Sequence, residues 1–353
     1  MSTQTPIHAL TPDGTAGRGI FRRLAAVLNV TIAVLLCLTP FTAVIVLGWI
    51  IRLMRREIVI EIGRHSQSDG SRDISRKAAL VRISGLPQLA STARFPGWWR
   101  GIWDTMRSAF KAVFAVSLAI LPFGTILLLS WWAGWENSFN KGYEQAWVGP
   151  VLALTGISLA IFTLVHLPMA LAHHAAEQRV GAIWEIGLIR QLVGRVRWRY
   201  LMLTLATVVL SGPMFLVQIL PTFIENIDPE LSTASPAEIE AFIFRYYGAA
   251  TVYLVLALFV LRRWAARLYS RAAVLHPSNK LQFIRQVSEQ MDRPEGPMRP
   301  APGRIGGVIA GVLMVAGWLA FLASLYVAQF ANHGWWNWIS FPLTGLPWIF
   351  RPL

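Results

Sequence analysis

Residues Leu24–Met54 read LAAVLNVTIAVLLCLTPFTAVIVLGWIIRLM, an apolar run of 31 residues in which Arg52 is the one charged side chain. About 20 helical residues are enough to cross a hydrocarbon core of about 30 Å, so this run is longer than one crossing needs. Pro40 lies near its middle and removes a backbone donor from any helix that passes through it. The run therefore predicts a membrane segment, residues 18–54, that is broken by a proline.

Arginines flank this segment on both sides, with Arg22 and Arg23 before it and Arg55 and Arg56 after it. Because basic residues concentrate on the cytoplasmic side of a membrane, we expect both ends of the segment on that side. The segment would then be a re-entrant helical hairpin with its apex at Pro40, and such a hairpin needs its broken backbone covered by protein. The alternative is one kinked helix that crosses the membrane with its N-terminus outside.

The composition of the whole chain is that of a membrane protein. Of its 353 residues, 55% are hydrophobic and 14% are charged, whereas a soluble domain carries about 25% charged residues. The net charge of +14 comes from basic loops that alternate with acidic or neutral ones, as the positive-inside rule produces. No aromatic-basic motif for RNA accompanies the arginines, and a single cysteine, Cys37, cannot form an intrachain disulfide. We predict the lipid bilayer as a partner and no nucleic acid.

Further apolar segments follow the first, so the predicted fold is an all-α, polytopic integral membrane protein with about six membrane segments. The chain divides into seven parts. A flexible tail (1–17) precedes the first segment (18–54), and a basic cytoplasmic loop (55–105) follows it. Segments two to five (106–270), a basic Pro-rich cytoplasmic linker (271–304), the sixth segment (305–330) and a Trp-rich interfacial tail (331–353) complete the chain. Within the loop, residues 56–62 and 80–83 predict either a short β-hairpin or, for the first of them, a helix that continues from Trp49.

Local signals predict the start of one helix that crosses the membrane and two further helices that are amphipathic. Ser235-Pro236-Ala-Glu238 is a capping box with proline at the first helical position, and it predicts the start of a helix that leaves the membrane at Arg262. Residues 182–193 (AIWEIGLIRQLV) and 281–291 (LQFIRQVSEQM) are amphipathic, which is typical of helices that lie at an interface.

Residues 18–49 and 100–131 resemble each other at a constant offset of 82, with ten of 32 positions identical. The matches include Arg-Gly-Ile, beginning at Arg18 and again at Arg100, and Pro-Phe, beginning at Pro40 and again at Pro122. Such self-similarity predicts an internal duplication whose second half starts at residue 100.

Prolines, small residues and tryptophans suggest how the segments are shaped and packed. Prolines predict helix breaks at four positions: Pro40, Pro122, Pro168 and Pro213. A small-residue stripe in the sixth segment predicts close helix packing, which we expect within the chain rather than against a second subunit: Gly307, Gly311, Ala316, Ala320 and Ser324. Tryptophans of the tail predict anchors at the outer surface, with an extracytoplasmic C-terminus: Trp335, Trp336, Trp338 and Trp348.

The order of short motifs in the first half of the chain is distinctive: Pro40, then GWIIRLMRR at residues 48–56, GLP at 85–87, GWWRGIW at 97–103, then Pro122. Over roughly residues 18–170 the chain resembles an uncharacterised bacterial and archaeal family of multi-pass membrane proteins. That family has proline-broken membrane segments, a Gly-aromatic-x-x-Arg exit and a Leu-Pro-x-W loop. The resemblance implies an α-helical membrane domain and no activity.

Ionisable side chains inside a membrane segment are functional candidates by default. The best set is His166, His173 and Glu177, which share one helical stripe and could ligate a metal or haem or relay protons. The competing interpretation is structural, with His166 bonding a carbonyl that Pro168 leaves free. Since no further ligand motif accompanies the three residues, we predict no cofactor.

The sequence favours a non-enzymatic multi-pass protein of the plasma (inner) membrane, acting as a scaffold, assembly or accessory subunit with other membrane subunits or as a homo-oligomer. The first alternative is a transporter or channel that uses the proline-broken, duplicated segments and intramembrane polar residues such as Asn29 and Gln218. The second is a membrane enzyme or a metal- or haem-binding protein that uses His166 and His173.

Overall fold

The computed structural model describes residues 27–66, 95–133, 147–223, 234–274, 280–290 and 304–331, together with His276, Leu343 and Trp348. These residues form nine α-helices and two short 3₁₀ helices, and no strand occurs among them. The α-helices are α1 (Val27–Leu36), α2 (Pro40–Ser66), α3 (Phe95–Trp132), α4 (Val148–Glu177), α5 (Ile186–Arg195), α6 (Arg197–Ile219), α7 (Pro236–Ala273), α8 (Gln282–Gln290) and α9 (Arg304–Ala331). The 3₁₀ helices are Val180–Trp184 and Leu220–Phe223.

Five of these helices are long and apolar enough to cross a membrane, which confirms a multi-pass helical membrane protein. The five stretches are Thr105–Trp132, Val148–Glu177, Arg197–Ile219, Pro236–Ala273 and Ile305–Ala328. The predicted first segment is not among them, because it is divided into the ten-residue α1 and the more highly charged α2. The helical alternative for residues 56–62 is correct, since α2 runs through them; residues 80–83 lie outside the described ranges.

The break at Pro40 has a local cause in the preceding residue. Thr39 is the N-cap of α2, since its Oγ1 accepts a hydrogen bond from the Thr42 N–H at 3.3 Å and its carbonyl accepts one from the Ala43 N–H at 3.0 Å. Pro40 then occupies the first helical position, where its missing N–H costs no helical bond. The Thr42 hydroxyl donates to the Leu36 carbonyl and so ties the end of α1 to the start of α2.

The other three predicted breaks are wrong. Pro122, Pro168 and Pro213 lie inside α3, α4 and α6, and each helix continues through its proline. A proline removes one backbone hydrogen bond, and the helical bonds on either side of it remain. The residue before each of these prolines is a leucine or a glycine, which has no side-chain oxygen to cap a new helix.

The GWIIR motif of α2 makes contacts with two helices. A Cβ on Gly48 would lie 2.6 Å from the Ala109 Cβ of α3, so glycine permits the close approach of these helices. Trp49 packs edge-on against Phe259 of α7, with ring centroids 5.7 Å apart, and Arg52 donates to the Thr105 hydroxyl of α3. Each polar or aromatic residue of the motif therefore has a packing role.

The side-chain contacts fix the relative directions of the helices. Later residues of α2 contact later residues of α7, and the same holds for α4 and α7, so these three helices are parallel. In contrast, α3 is antiparallel to α2 and α4, and α6 is antiparallel to α7. Helix α9 runs parallel to α6. As a result α2, α4 and α7 end where α3, α6 and α9 begin, and we call this the basic end of the bundle because the arginine-rich stretches lie there.

The predicted packing of the small-residue face of α9 within the chain is wrong at Gly311, Ala316 and Ala320, whereas Gly307 lies against the Arg197 guanidinium of α6. Ala316 and Ala320 are exposed, and nothing lies within 4 Å of a Cβ built on Gly311. The face of α9 that packs within the chain carries larger residues, including Met314, Trp318 and Phe321, with Phe321 edge-on against Phe215 of α6. The buried surface of aromatic side chains exceeds what a small-residue face offers.

The predicted interfacial tail contains a buried residue. Leu343 is 2% exposed and its carbonyl accepts a hydrogen bond from Arg262 Nη2 at 3.1 Å, so at this point the chain packs into the bundle. Trp348 is half-buried, and Trp335, Trp336 and Trp338 lie outside the described residues.

The predicted capping box and both amphipathic helices are present. Ser235 Oγ accepts from the Glu238 N–H, and Glu238 Oε2 accepts from the Ser235 N–H at 2.7 Å. Helices α5 and α8 bury one apolar side each and expose the other. Because their apolar sides pack against α2, α4, α6 and α7, they close the basic end of the bundle.

Candidate functional site: the polar contacts at the basic end

Ion pairs between acids on α2 and arginines on α7 join these two helices. Glu57 Oε1 accepts hydrogen bonds from Arg263 Nε (2.9 Å), Arg263 Nη2 (2.7 Å) and Arg267 Nη2 (2.8 Å). One turn further on, Glu61 Oε1 accepts from Arg271 at 2.7 Å. We call these five residues the ion-paired seam.

The seam is uneven in its burial. Glu57 and Glu61 are 4% and 2% exposed, whereas the side chains of their arginine partners are 36–48% exposed. Burial alone would raise the pKa of Glu57, but hydrogen bonds from Arg263 and Arg267 and their positive charge outweigh it and hold that pKa below its usual value. Glu57 is therefore an ionised group that α2 carries into the interior.

A second set of polar contacts joins α4 to α7 and to the linker before α5. Tyr269 and His173 are both fully buried, and the Tyr269 hydroxyl lies 2.8 Å from His173 Nδ1. His173 Nε2 lies 3.1 Å from Glu185 Oε2, and Arg179 Nη2 donates to Glu185 Oε1 at 3.2 Å. Since a carboxylate only accepts, Nε2 carries a proton, and in the neutral form of the ring Nδ1 accepts from the tyrosine. We call Tyr269, His173 and Glu185 the histidine–tyrosine seam.

The end of α4 holds the linker that presents Glu185. Gln178 adopts a left-handed conformation (φ 55°), and its N–H donates to the His174 carbonyl at 2.8 Å. The reversed chain is fixed by two further bonds, from His174 Nδ1 to the Arg179 carbonyl (2.8 Å) and from Lys111 Nζ to the Gln178 carbonyl (3.2 Å). The chain therefore reverses after α4, which places the Glu185 carboxylate within hydrogen-bond distance of His173 Nε2.

Glu177 belongs to a third contact. Its Oε1 accepts from the Phe283 N–H of α8 at 3.2 Å, and the guanidinium of Arg55 lies 4.4 Å from the Phe283 ring centroid. Such a cation–π contact is favourable, so α8 is attached to α2 at Arg55 and to the end of α4 at Glu177.

The structure does not bring together His166, His173 and Glu177 as ligands of one site. Both ring nitrogens of His173 are engaged, Glu177 binds α8, and His166 Nδ1 donates to the Phe162 carbonyl at 2.7 Å. In the parts of the chain that the structure describes, no three His, Cys, Asp or Glu side chains are grouped as metal ligands. The prediction that His166 bonds a carbonyl freed by Pro168 is wrong, because Phe162 precedes that part of the helix.

Tyrosines of neighbouring helices, rather than His166, bind backbone carbonyls close to two of these prolines. The Tyr200 hydroxyl donates to the Val165 carbonyl at 2.7 Å, three residues before Pro168. In the same way, the Tyr253 hydroxyl donates at 2.8 Å to the Leu210 carbonyl, three residues before Pro213. Hydroxyls from a neighbouring helix thus satisfy backbone groups next to these prolines, as a membrane interior requires.

Among the predicted intramembrane polar residues, Gln218 is buried, at 8% exposure, whereas Asn29 is exposed on α1. The residues of the ion-paired seam were missed by sequence reasoning. Their signal is the spacing of four, Glu57 and Glu61 on one helix and Arg263, Arg267 and Arg271 on another, which sets each group on one helix face.

A search of protein-family models, of curated proteins and of solved structures finds no match to this chain. The resemblance to an uncharacterised membrane family therefore stays a prediction.

The chemistry available to the two seams differs. In the histidine–tyrosine seam, a hydroxyl, an imidazole and a carboxylate stand in one hydrogen-bonded row that could pass a proton along. In the ion-paired seam, guanidinium groups hold an ionised carboxylate in place, and its depressed pKa makes it a poor proton carrier near neutral pH. The first is a candidate relay and the second is a fixed connection between helices.

Proposed function

We propose that the chain is a non-enzymatic, multi-pass subunit of the plasma (inner) membrane that acts as a scaffold, assembly or accessory component of a membrane complex. The observation that carries this proposal is that buried ionisable groups at the basic end bind groups on other helices: Glu57 and Glu61 bind α7, and His173 binds Tyr269 and Glu185. Groups used in this way stabilise an arrangement of helices.

The orientation follows from the charge of the basic end. By the positive-inside rule this end would face the cytoplasm, and α9, which starts there, would end at the opposite side of the membrane, from which the chain returns to pack Leu343 into the bundle. Both ends of the first segment would then be cytoplasmic, with α1 and α2 as the two arms of a re-entrant hairpin and the capped break at Thr39–Pro40 as its apex.

Purification of the full chain from native membranes in a mild detergent tests the proposed role. We expect one or more other membrane proteins, or further copies of the chain, in stoichiometric amount, and their loss when Glu57→Gln and His173→Leu loosen the basic end. A monodisperse single-copy chain, recovered at native abundance under the mildest conditions, would contradict the proposal.

The second candidate, a transporter or channel, is favoured by particular buried polar atoms. Thr204 Oγ1 and Gln218 Oε1 of α6 are buried and have no hydrogen-bond partner. A small cavity nearby is lined by Pro168, Thr207, Arg262 and Leu343, among others. Flux through liposomes that falls on Gln218→Ala, and is unchanged by Asn29→Ala on the exposed side of α1, would establish this function in place of the first.

A further inference from the structure

One stripe on α7 changes from apolar to cationic along its length. Val252, Leu256 and Val260 are 40%, 46% and 58% exposed, and Arg263, Arg267 and Arg271 follow with side chains that are 48%, 38% and 36% exposed. The spacings of three and four residues keep all six on one side of the helix. This side of the bundle is therefore apolar up to Val260 and cationic beyond it.

The dimensions of the stripe fit the outer part of one lipid. With a rise of 1.5 Å per residue, its apolar and cationic parts each extend about 12 Å along the helix. An exposed valine or leucine on a membrane-spanning helix contacts acyl chains. Because the arginines follow directly, towards the basic end, they lie where headgroups begin.

The charges of the seam leave a net positive face towards the lipid. Within the seam three guanidinium groups face two carboxylates, so the five residues together carry a net charge of +1. The carboxylates of Glu57 and Glu61 are shielded by burial, whereas a third to a half of each arginine side chain is open. A ligand that approaches from the bilayer therefore meets guanidinium groups, whose planar forks suit phosphate oxygens.

We propose that this stripe is a binding site for one anionic phospholipid. Its phosphodiester would lie on Arg263 and Arg267, and an acyl chain would follow Leu256 and Val260. The single negative charge of the phosphodiester matches the net charge of +1 that the five seam residues carry. The proposal depends on the membrane location of the helices and is independent of the accessory role.

Native mass spectrometry of the full chain in a neutral detergent tests this site, with phosphatidylglycerol and phosphatidylcholine as the added lipids. We expect phosphatidylglycerol to be retained severalfold better than phosphatidylcholine, and Arg267→Gln to reduce that preference severalfold. The matched control is Arg245→Gln, an exposed arginine at the other end of the same helix, which should leave the preference unchanged. Equal retention of the two lipids by the unmodified chain, or equal effects of the two variants, would overturn the proposal.

Glu57→Gln separates a lipid site from a purely structural ion pair. This change removes a carboxylate that competes with phosphate for the same guanidinium groups, so retention of phosphatidylglycerol should be equal or greater even as thermal stability falls. A loss of retention would overturn the proposal, and this variant decides the question if Arg267→Gln does not fold. Inorganic phosphate should not displace the lipid at millimolar concentration; displacement would identify free phosphate as the ligand instead.

Discussion

Helix α7 makes two polar contacts at the same end of the bundle, and they differ in where the partners lie. In the ion-paired seam the acids on α2 are buried and the arginines on α7 reach the surface. In the histidine–tyrosine seam, His173 and Tyr269 are both fully buried. Removing the arginines of the ion-paired seam leaves a buried carboxylate without a partner, whereas removing the acids leaves arginines that reach the surface, so the two losses of stability should differ. In the histidine–tyrosine seam, removing either His173 or Tyr269 leaves a buried polar group without its partner.

The difference shows what each contact requires of its surroundings. A buried carboxylate needs its cations, because a charge in the interior without a partner is expensive. A half-exposed guanidinium that loses its carboxylate turns to water or to lipid headgroups. The ion-paired seam therefore depends on pH and on the cations of α7, and the neutral hydrogen bond between Tyr269 and His173 depends on shape and on both partners at once.

The largest expected effect comes from removing both cations of Glu57. The double variant Arg263→Ala, Arg267→Ala leaves a buried carboxylate without a partner and should lower the free energy of unfolding by about 3–5 kcal/mol. Glu57→Gln, which leaves half-exposed arginines, should cost about 1 kcal/mol. Unfolding in mixed detergent micelles measures both, with Arg245→Ala as the control, and equal losses for the two variants would refute the asymmetry.

The neutral contact should respond to the loss of one hydroxyl. Tyr269→Phe leaves His173 Nδ1 buried without a donor, and the expected loss of stability is about 1–3 kcal/mol. Tyr246→Phe should lower the stability by less. Tyr246 is half-buried, and its hydroxyl donates to the Val217 carbonyl at 3.0 Å. The same unfolding assay compares them, and a cost for Tyr269→Phe at or below that of the control would count against the seam.

Acidification should weaken the ion-paired seam selectively. The pKa of Glu57 is depressed in the folded chain, so its contribution to stability is complete above the unfolded pKa of about 4.3 and is lost as the pH falls through the lower folded value. Between pH 6 and pH 3 the unmodified chain should therefore lose more stability than Glu57→Gln. Parallel curves for the two proteins over this range would contradict the assignment.

The smallest effect concerns the helix break. Thr39→Val removes the hydroxyl that caps α2 and should cost about 1 kcal/mol. Thr31→Val is the matched control, since the Thr31 hydroxyl donates to the Val27 carbonyl of its own helix. The midpoint of thermal unfolding should be lower for Thr39→Val than for Thr31→Val. Identical midpoints would mean that Pro40 alone determines the break.

The class of the fold could be predicted from the sequence because the length of an apolar run and the charge of a loop are each read from one continuous stretch of residues. Ser235–Glu238 and the amphipathic helices were predictable for the same reason. The consequence of a proline depends on its neighbour, so Thr39 with Pro40 starts a helix whereas Leu121 with Pro122 does not. The two seams were not predicted, because Glu57 and Arg263 are 206 positions apart in the chain and a single sequence does not reveal which helices pack together.

Cysteine labelling of intact cells tests the central claim, that the bundle crosses a membrane with its basic end on one side. In a Cys37→Ala background, Arg190→Cys marks the basic end and Ala237→Cys marks the start of α7, and both positions are exposed. An impermeant thiol reagent should label Ala237→Cys in intact cells and Arg190→Cys only after the membrane is opened. Labelling of both positions from the same side would contradict the account.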